Sequence, residues 1–210
     1  MLFRSEALTK TTDTKACIIG VGAMEKTPEM FKELFPGKKA VIVADKNTYK
    51  AAGELVEDRM RRASVPIEDS FIFKSPDLYA EWTFVEELES FLKSRDVIAI
   101  AVGSGVINDL TKLVSFRLGR KYMVVGTAAS MDGYTAFGAS ITRDGNKQTF
   151  SCPAPYGVIM DPEVAAKAPE GLSASGYADL LAKVPAGADW MLSDVVGLEK
   201  IDKEIGRAHV

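Results

Sequence analysis

Residues 96 to 141 read DVIAIAVGSGVINDLTKLVSFRLGRKYMVVGTAASMDGYTAFGASI, and no other stretch restricts the possible folds as strongly. A continuous apolar run, Val97 to Val102, leads into Gly103-Ser104-Gly105. An amphipathic helix follows, then a second apolar run from Met123 to Val125, which ends in Gly126-Thr127-Ala128-Ala129-Ser130-Met131-Asp132-Gly133. Runs that are apolar on both faces suit strands of a buried parallel sheet, and parallel strands need a helical crossover between them. Each strand then delivers a small, polar, flexible loop to the carboxyl edge of the sheet. Open α/β sheets bind phosphate-bearing ligands at that edge. The segment therefore predicts a nucleotide site, with a carboxylate in the second loop.

The chain upstream repeats the alternation. Ala16 to Ile19 reads as a first strand, Glu25 to Phe35 as a helix stopped by Pro36-Gly37, and Ala40 to Ala44 as a buried strand with Asp45 at its carboxyl end. Thr48 to Ala63 is helical in pattern, Pro66 to Phe73 resembles a third strand, and Glu81 to Lys93 a third helix. The order predicts an α/β fold, a doubly wound and mostly parallel Rossmann-like sheet. After Ile141, the turn signal Thr142-Arg143-Asp144-Gly145-Asn146 predicts a hairpin into Gln148 to Ser151. Val158 to Met160 is a last short apolar run. From Pro162 the chain turns alanine-rich and helical, which predicts a cofactor-binding domain over 1–162 and the start of an all-α domain over 163–203.

The net charge of −3 gives no support for a nucleic-acid or anionic-membrane surface. Cys17 and Cys152 lie far apart without CxxC spacing, as suits a reducing compartment. The first fifteen residues carry no apolar core of signal-peptide length, and no run approaches a membrane span. The expectation is a soluble, cytoplasmic protein that acts on a small molecule.

Two glycine-bearing turns compete for the nucleotide. Gly20-Val21-Gly22, with Asp45 one strand later, imitates a dinucleotide fingerprint, but Glu25 stands where the third glycine belongs and would oppose a pyrophosphate. A plain tight turn is the favoured reading there. Gly103-Ser104-Gly105 also lacks the third glycine, which Asn108 replaces, yet its helix opens with small uncharged residues whose N–H groups can cradle phosphate. Asp109 and Lys112, farther along that helix, read as surface or capping residues. Asp132 can accept a hydrogen bond from a substrate hydroxyl or the nicotinamide ribose, or close an Asx-turn in its own loop. Asp179 and Lys183, four apart, fit a solvent-exposed ion pair. The small apolar neighbours of Asp179 equally fit a buried carboxylate that needs a partner such as a metal. Pro185 predicts a kink soon after.

GSGVINDLTK, then GTAASMDGYTAFGASIT, then SGYADLLAKVPAGADW, in this order and spacing, resemble the bacterial branch of the sn-glycerol-1-phosphate dehydrogenases. That family belongs with iron-containing alcohol dehydrogenases, glycerol dehydrogenase and dehydroquinate synthase. The resemblance covers almost the whole chain. It implies an N-terminal NAD(P) domain, a C-terminal helical domain, and a cleft between them that holds metal and substrate. Gly103, Ser104, Gly105, Val106 and Ile107 then resemble the pyrophosphate binder, and Thr127, Ala128, Ala129 and Ser130 the second cofactor loop. Asp132 matches a substrate-contacting aspartate. Asp179 matches the first ligand of a divalent metal (Zn, Ni or Fe), also near the substrate, and Asp45 an acid facing the adenosine ribose. Ala136, with Thr135 beside it, stands where many members carry a cofactor-contacting serine.

The implied reaction is hydride transfer between NAD or NADP and the dihydroxyacetone phosphate/sn-glycerol 1-phosphate pair, in a homo-oligomer at full length. The family's two further metal ligands are downstream histidines, whereas this chain has one histidine, His209. The expectation is a C-terminally truncated, inactive fragment. Residues 204–210, EIGRAHV, back-translate to a string matching a common sequencing-library adapter, so they are expected to be non-native. Two other functions stay open: a glycerol or other polyol dehydrogenase of the same superfamily, and a nucleotide-binding module without catalysis. Dehydroquinate synthase fits less well, since its corresponding helix usually carries glutamate where Asp179 stands.

Overall fold

The structure, a computed structural model, describes residue 8 and residues 11–202, so His209 and the tail 204–210 lie outside the described residues. Six strands form one parallel sheet: β1 (Ala16–Ile19), β2 (Lys39–Asp45), β3 (Phe71–Phe73), β4 (Val97–Gly103), β5 (Met123–Gly126) and, farther along the chain, β8 (Gly157–Met160). Their order across the sheet is β1-β8-β5-β4-β2-β3, every neighbouring pair parallel. Between β5 and β8 comes an antiparallel hairpin, β6 (Ala139–Arg143) and β7 (Asn146–Phe150). Asp144 and Gly145 turn it with φ of 53° and 75°. Paired positive φ values match the twist of the two strands, and Asp-Gly supplies them at little strain.

Among the described residues the α-helices of four residues or more are α1 (Thr27–Leu34), α2 (Glu54–Arg62), α3 (Trp82–Lys93), α4 (Gly105–Arg117), α5 (Pro162–Ala165), α6 (Glu170–Leu181) and α7 (Lys183–Val195). A short helical turn (Lys46–Thr48) and a π-helix (Tyr49–Gly53) lead into α2, and 3-10 turns lie at Ala23–Lys26 and Gly133–Thr135. Alternate side chains divide the core into two layers, as the period of two requires. Val41, Val43, Ala99, Ala101 and Val124 face α3, α4 and β6, meeting Leu88, Leu92, Leu110, Leu113 and Ile141. Ala40, Ile42, Ile98, Ile100, Val102 and Val125 face α1 and α2, meeting Phe31, Val56 and Met60.

The doubly wound sheet appears as expected, with two differences of detail. The stretch expected as a strand over Pro66 to Phe73 pairs continuously only at Phe71–Phe73, with one isolated bridge from Ile67 to Ala40. The break near Pro185 falls at Ala182, between α6 and α7. A proline ring clashes with the carbonyl four residues earlier, here that of Leu181, where α6 ends. No helix among the described residues is long and apolar enough to cross a membrane.

Candidate functional site

The carboxyl edge of the sheet sets the two loops side by side. Gly103 is in register with Gly126, and Gly126 with Met160. Two residues beyond the registered pair Val43 and Ala101, Asp45 stands level with Gly103. From β2 the chain moves outward to β3, whereas from β4 it moves the other way to β5. The winding thus reverses between β2 and β4, and doubly wound sheets bind ligands in the crevice at such a switch point. Along this edge lie Asp45, then the β4 loop, then the β5 loop.

Close packing dictates the glycines here. A Cβ on Gly103 would stand 2.6 Å from Cβ and Cγ1 of Ile107, so only glycine lets α4 start this near the strand. One on Gly105 would come within 3.1 Å of Met131 Sδ, which places the β5 loop against the first turn of α4. Ser104 is the N-cap, none of the described side chains caps the helix, and its first turn holds no acid. The Asn108 N–H closes the first helical bond on Ser104 O at 3.0 Å. The amides of Gly105, Val106 and Ile107 and the positive end of a thirteen-residue helix are therefore suited to an anion.

The β5 loop is stitched to the β4 loop and to itself. The buried Thr127 donates its N–H to Gly103 O at 3.1 Å, and the Tyr134 hydroxyl donates to Ala128 O at 2.7 Å. Ala128 is buried, Ala129 exposed and Ser130 half-buried. Asp45 has a local role, because its Oδ1 accepts the N–H groups of Asn47 (2.7 Å) and Thr48 (3.0 Å), while Thr48 Oγ1 accepts the Asp45 N–H. Gly22, at φ 72°, makes the first turn of the chain a tight one, and Glu25 there is held by Arg59. The plain-turn reading of Gly20 to Gly22 fits this arrangement.

Asp132 and Asp179, 47 residues apart in sequence, come together. The Asp132 N–H donates to Asp179 Oδ2 at 2.9 Å. The Lys183 ammonium lies 3.1 Å from Asp132 Oδ2 and 3.3 Å from Asp179 Oδ1. Asp179 therefore sits in the ion pair of the first reading and takes the Asp132 N–H besides. Its side chain is 36% exposed, so the buried-carboxylate reading is corrected: α6 is covered on too little of its surface to bury it. The Asp132 N–H holds the Asp179 carboxyl below its ordinary value, with Lys183 adding to the effect. The Asp132 carboxylate in turn raises the Lys183 ammonium. Gly176 makes the approach possible, since a Cβ there would overlap the Ala129 carbonyl oxygen. Sequence reasoning missed this glycine and the bond from Lys183 to Asp132. A glycine inside a helix, three residues before a candidate ligand, was the available signal.

Asp109 and Lys112 correct the expectation of surface or capping residues. Lys112 is 1% exposed, and its ammonium donates to Ala136 O (3.0 Å) and Gly138 O (2.8 Å). Asp109 Oδ2 accepts the Ser140 N–H at 3.1 Å, while its Oδ1 lies 3.6 Å from Lys112. Burial pushes the Asp109 carboxyl above its ordinary value, and Lys112 opposes the rise. α4 is enclosed by sheet, α3 and hairpin, so polar side chains in its middle face protein rather than water.

The described residues do not by themselves form a metal centre. Among them no three His, Cys, Asp or Glu side chains gather as ligands. Asp179 spends both oxygens on Asp132 and Lys183. A catalytic metal needs about three protein ligands.

A parallel sheet wound in both directions, with helices on both faces and small loops at its switch point, defines the Rossmann-like α/β class. Within it, the family model for iron-containing alcohol dehydrogenase matches residues 18–169. The chain belongs to the iron-containing alcohol dehydrogenase family. Among curated relatives, the glycerol-1-phosphate dehydrogenase (NAD(P)+) of Bacillus velezensis is 36% identical, over 73% of this chain and 39% of its own length. That of Halalkalibacterium halodurans is 33% identical, over 75% and 40%. The enzyme of the same name from Methanosphaerula palustris is 32% identical, over 89% and 50%. The chain thus spans about half or less of the length of these relatives. In fold it is similar to an iron-containing alcohol dehydrogenase from Thermotoga maritima (TM-score 0.71, 18% identity, covering 82% of this chain and 53% of that one). It is also similar to glycerol dehydrogenase from Schizosaccharomyces pombe (TM-score 0.69, 22% identity, 82% and 43%).

Proposed function

We propose that the chain is the cofactor-binding part, with one wall of the substrate cleft, of a dehydrogenase that interconverts dihydroxyacetone phosphate and sn-glycerol 1-phosphate with NAD or NADP. The observation that carries this reading is the meeting of Asp132 and Asp179 beside the uncapped start of α4, at the switch point of the sheet. The names of the curated relatives support the substrate. In this reading residues 1–162 hold the cofactor, and residues 163–203 begin the helical part that bears substrate and metal.

When bound, the nicotinamide would supply the hydride for the carbonyl carbon, and a proton from solvent would complete the alcohol. The residues of this chain bind and orient. The amides of Gly105, Val106 and Ile107 receive the pyrophosphate. Asp45 faces the adenosine ribose, and its charge disfavours a 2′-phosphate, which inclines the site toward NAD. Thr127 to Ser130 line the path toward Asp132, whose free oxygen density accepts a substrate hydroxyl. Lys183 lies between the two carboxylates and offsets their charge. Asp179 is the one metal ligand expected here, and one ligand does not hold a divalent ion, so binding and orientation are assigned without it.

Titration of the chain with NADH, followed by nicotinamide fluorescence, tests the cofactor site, and saturable binding is expected. Absence of binding by a folded chain would sink the reading. The longer protein containing these residues should reduce dihydroxyacetone phosphate. If it oxidises glycerol and leaves dihydroxyacetone phosphate untouched, the polyol dehydrogenase reading replaces this one. The lack of a three-ligand cluster among the described residues favours one further reading for the chain as it stands, a nucleotide-binding module without catalysis.

A further inference from the structure

The clamp beneath the β5 loop is built from charge in a place where apolar groups would pack as well. Lys112 is almost wholly buried, and its ammonium is spent on two main-chain carbonyls, those of Ala136 and Gly138. Asp109, one turn earlier, balances the charge and takes the Ser140 N–H near the start of the hairpin. Replacing a buried ion pair by apolar groups of similar volume is often neutral or stabilising. An apolar pair, however, makes no directional bonds to the carbonyls of a loop whose regular structure is a single 3-10 turn, Gly133–Thr135. The segment from Thr127 to Gly138 is therefore fixed at both ends. Near its start Thr127 bonds to Gly103 and Tyr134 to Ala128, and at its end Lys112 holds two carbonyls. Asp132 lies between the two holds, and Met131 beside it touches the first turn of α4.

We propose that Lys112, with Asp109, is a positioning residue that sets the Asp132 loop, and with it the nicotinamide half of the cofactor, on the same helix that receives the pyrophosphate. This rests on the cofactor reading above. The order of the sheet edge gives the direction: a dinucleotide with its pyrophosphate on α4 extends one half toward Asp45 beyond β2 and the other toward Asp132 beyond β5. Loss of the clamp frees only the second half. The adenosine side keeps its holds, because the side chains of Lys112 and Asp109 bond to the far end of the β5 loop and to the hairpin, not to Asp45 or to the first three residues of α4.

The test compares binding of NADH and of ADP-ribose, which carries adenosine and both phosphates but no nicotinamide, by calorimetry. The proteins are the unchanged chain, K112M, and the double variant K112M/D109N. ADP-ribose affinity is expected to stay unchanged in all three, while NADH weakens about tenfold in both variants, the scale of a typical coupling between sites. Thermal stability should fall in K112M, which leaves the Asp109 carboxylate buried and unpaired, and recover in the double variant, which does not. The persistence of the NADH loss after stability recovers is what a merely structural role would not produce. If NADH affinity recovers along with stability, or if both ligands weaken together, the proposal is overturned. Should the unchanged chain bind neither nucleotide, the cofactor reading itself fails. Hydrogen exchange then decides the clamp: amides 128–138 of the double variant must exchange faster while those of α4 stay protected, and unchanged loop protection refutes it.

Discussion

Gly176 decides how closely α6 approaches the β5 loop. The missing methyl lets α6 lie against the Ala129 carbonyl, which brings Asp179 within 2.9 Å of the Asp132 N–H. Gly176→Ala should therefore push the helix off the loop. The backbone oxygen in its way belongs to a stitched loop and cannot turn aside as a flexible side chain would, and overpacking of this kind costs about 1–3 kcal/mol locally. Hydrogen exchange at the Asp132 amide should accelerate while the sheet melts at its original temperature. Protection that survives the substitution would contradict the account. Cys152 makes a second prediction at this scale. It is fully buried beside the Asp109–Lys112 clamp, and burial pushes its thiol up to about 11. Ellman's reagent at pH 8 should therefore label Cys152 only after denaturant unfolds the hairpin, since the thiolate is the reacting form. Rapid labelling of Cys152 in the native chain would be the contrary result. The identities of both residues were visible in the sequence but their surroundings were not: a glycine mid-helix and a cysteine among prolines look alike in open or crowded space. Asp109 and Lys112 misled for the same reason. Periodicity separates a buried face from an exposed one, and α4 is buried nearly all round, from Ile107 to Ser115.

The elements were legible where local chemistry decides them. β2 and β4 are built on the runs AVIVA and VIAIAV because both their faces are covered there, and α1 ends where Pro36-Gly37 follows. The hairpin was legible from Asp144-Gly145. The position of β8 between β1 and β5 was not, since strand order is set by pairings distant in sequence, such as Ala16 with Gly157, and no local signal encodes them. The meeting of α6 with the β5 loop is another such pairing, and its pH dependence follows from the two shifts. The Asp179 carboxyl, lowered from 3.8 chiefly by the Asp132 N–H, contributes stability above that ordinary value and loses it as pH falls through the lower folded value. The Lys183 ammonium, raised from 10.5 chiefly by Asp132, contributes below that value and loses it as pH rises through the higher folded one. The contact is thus whole between 3.8 and 10.5 and opens beyond both ends. Because all three side chains are partly exposed, it is worth only about 0.2–1 kcal/mol and weakens with salt. The Asp132 amide resonance, followed by NMR against pH, should move at the acid end with a midpoint below 3.8. A midpoint at or above the ordinary carboxyl value would refute the assigned bond.

At the scale of the whole molecule the chain is unevenly packed. The sheet and α1 to α4 enclose two apolar layers, whereas α6 and α7 contain no buried residue. Leu180, Val184, Leu192 and Val195 on these two helices are all more than half exposed, and the Trp190 indole N–H is buried with no acceptor among the described residues. A buried donor left without a partner costs about 1–3 kcal/mol, so α7 gains little by folding against α6. The sequence showed the change in texture at Pro162 but not its energetic consequence, which depends on what the apolar faces meet in space. These helices should therefore add almost nothing to the stability of the sheet. A chain ending at Pro169 is expected to unfold in a single transition within about 2–4 °C of the longer one, which for a domain of this size is about 1 kcal/mol. Binding of an apolar dye should fall with the removal of the exposed leucines and valines. NADH binding should persist, because every group assigned to the pyrophosphate and the adenosine lies upstream of Pro162. If the shortened chain instead melts far below the longer one, α6 and α7 would be part of one cooperative unit with the sheet, and the Asp132–Asp179 meeting would be a structural keystone rather than the wall of a cleft.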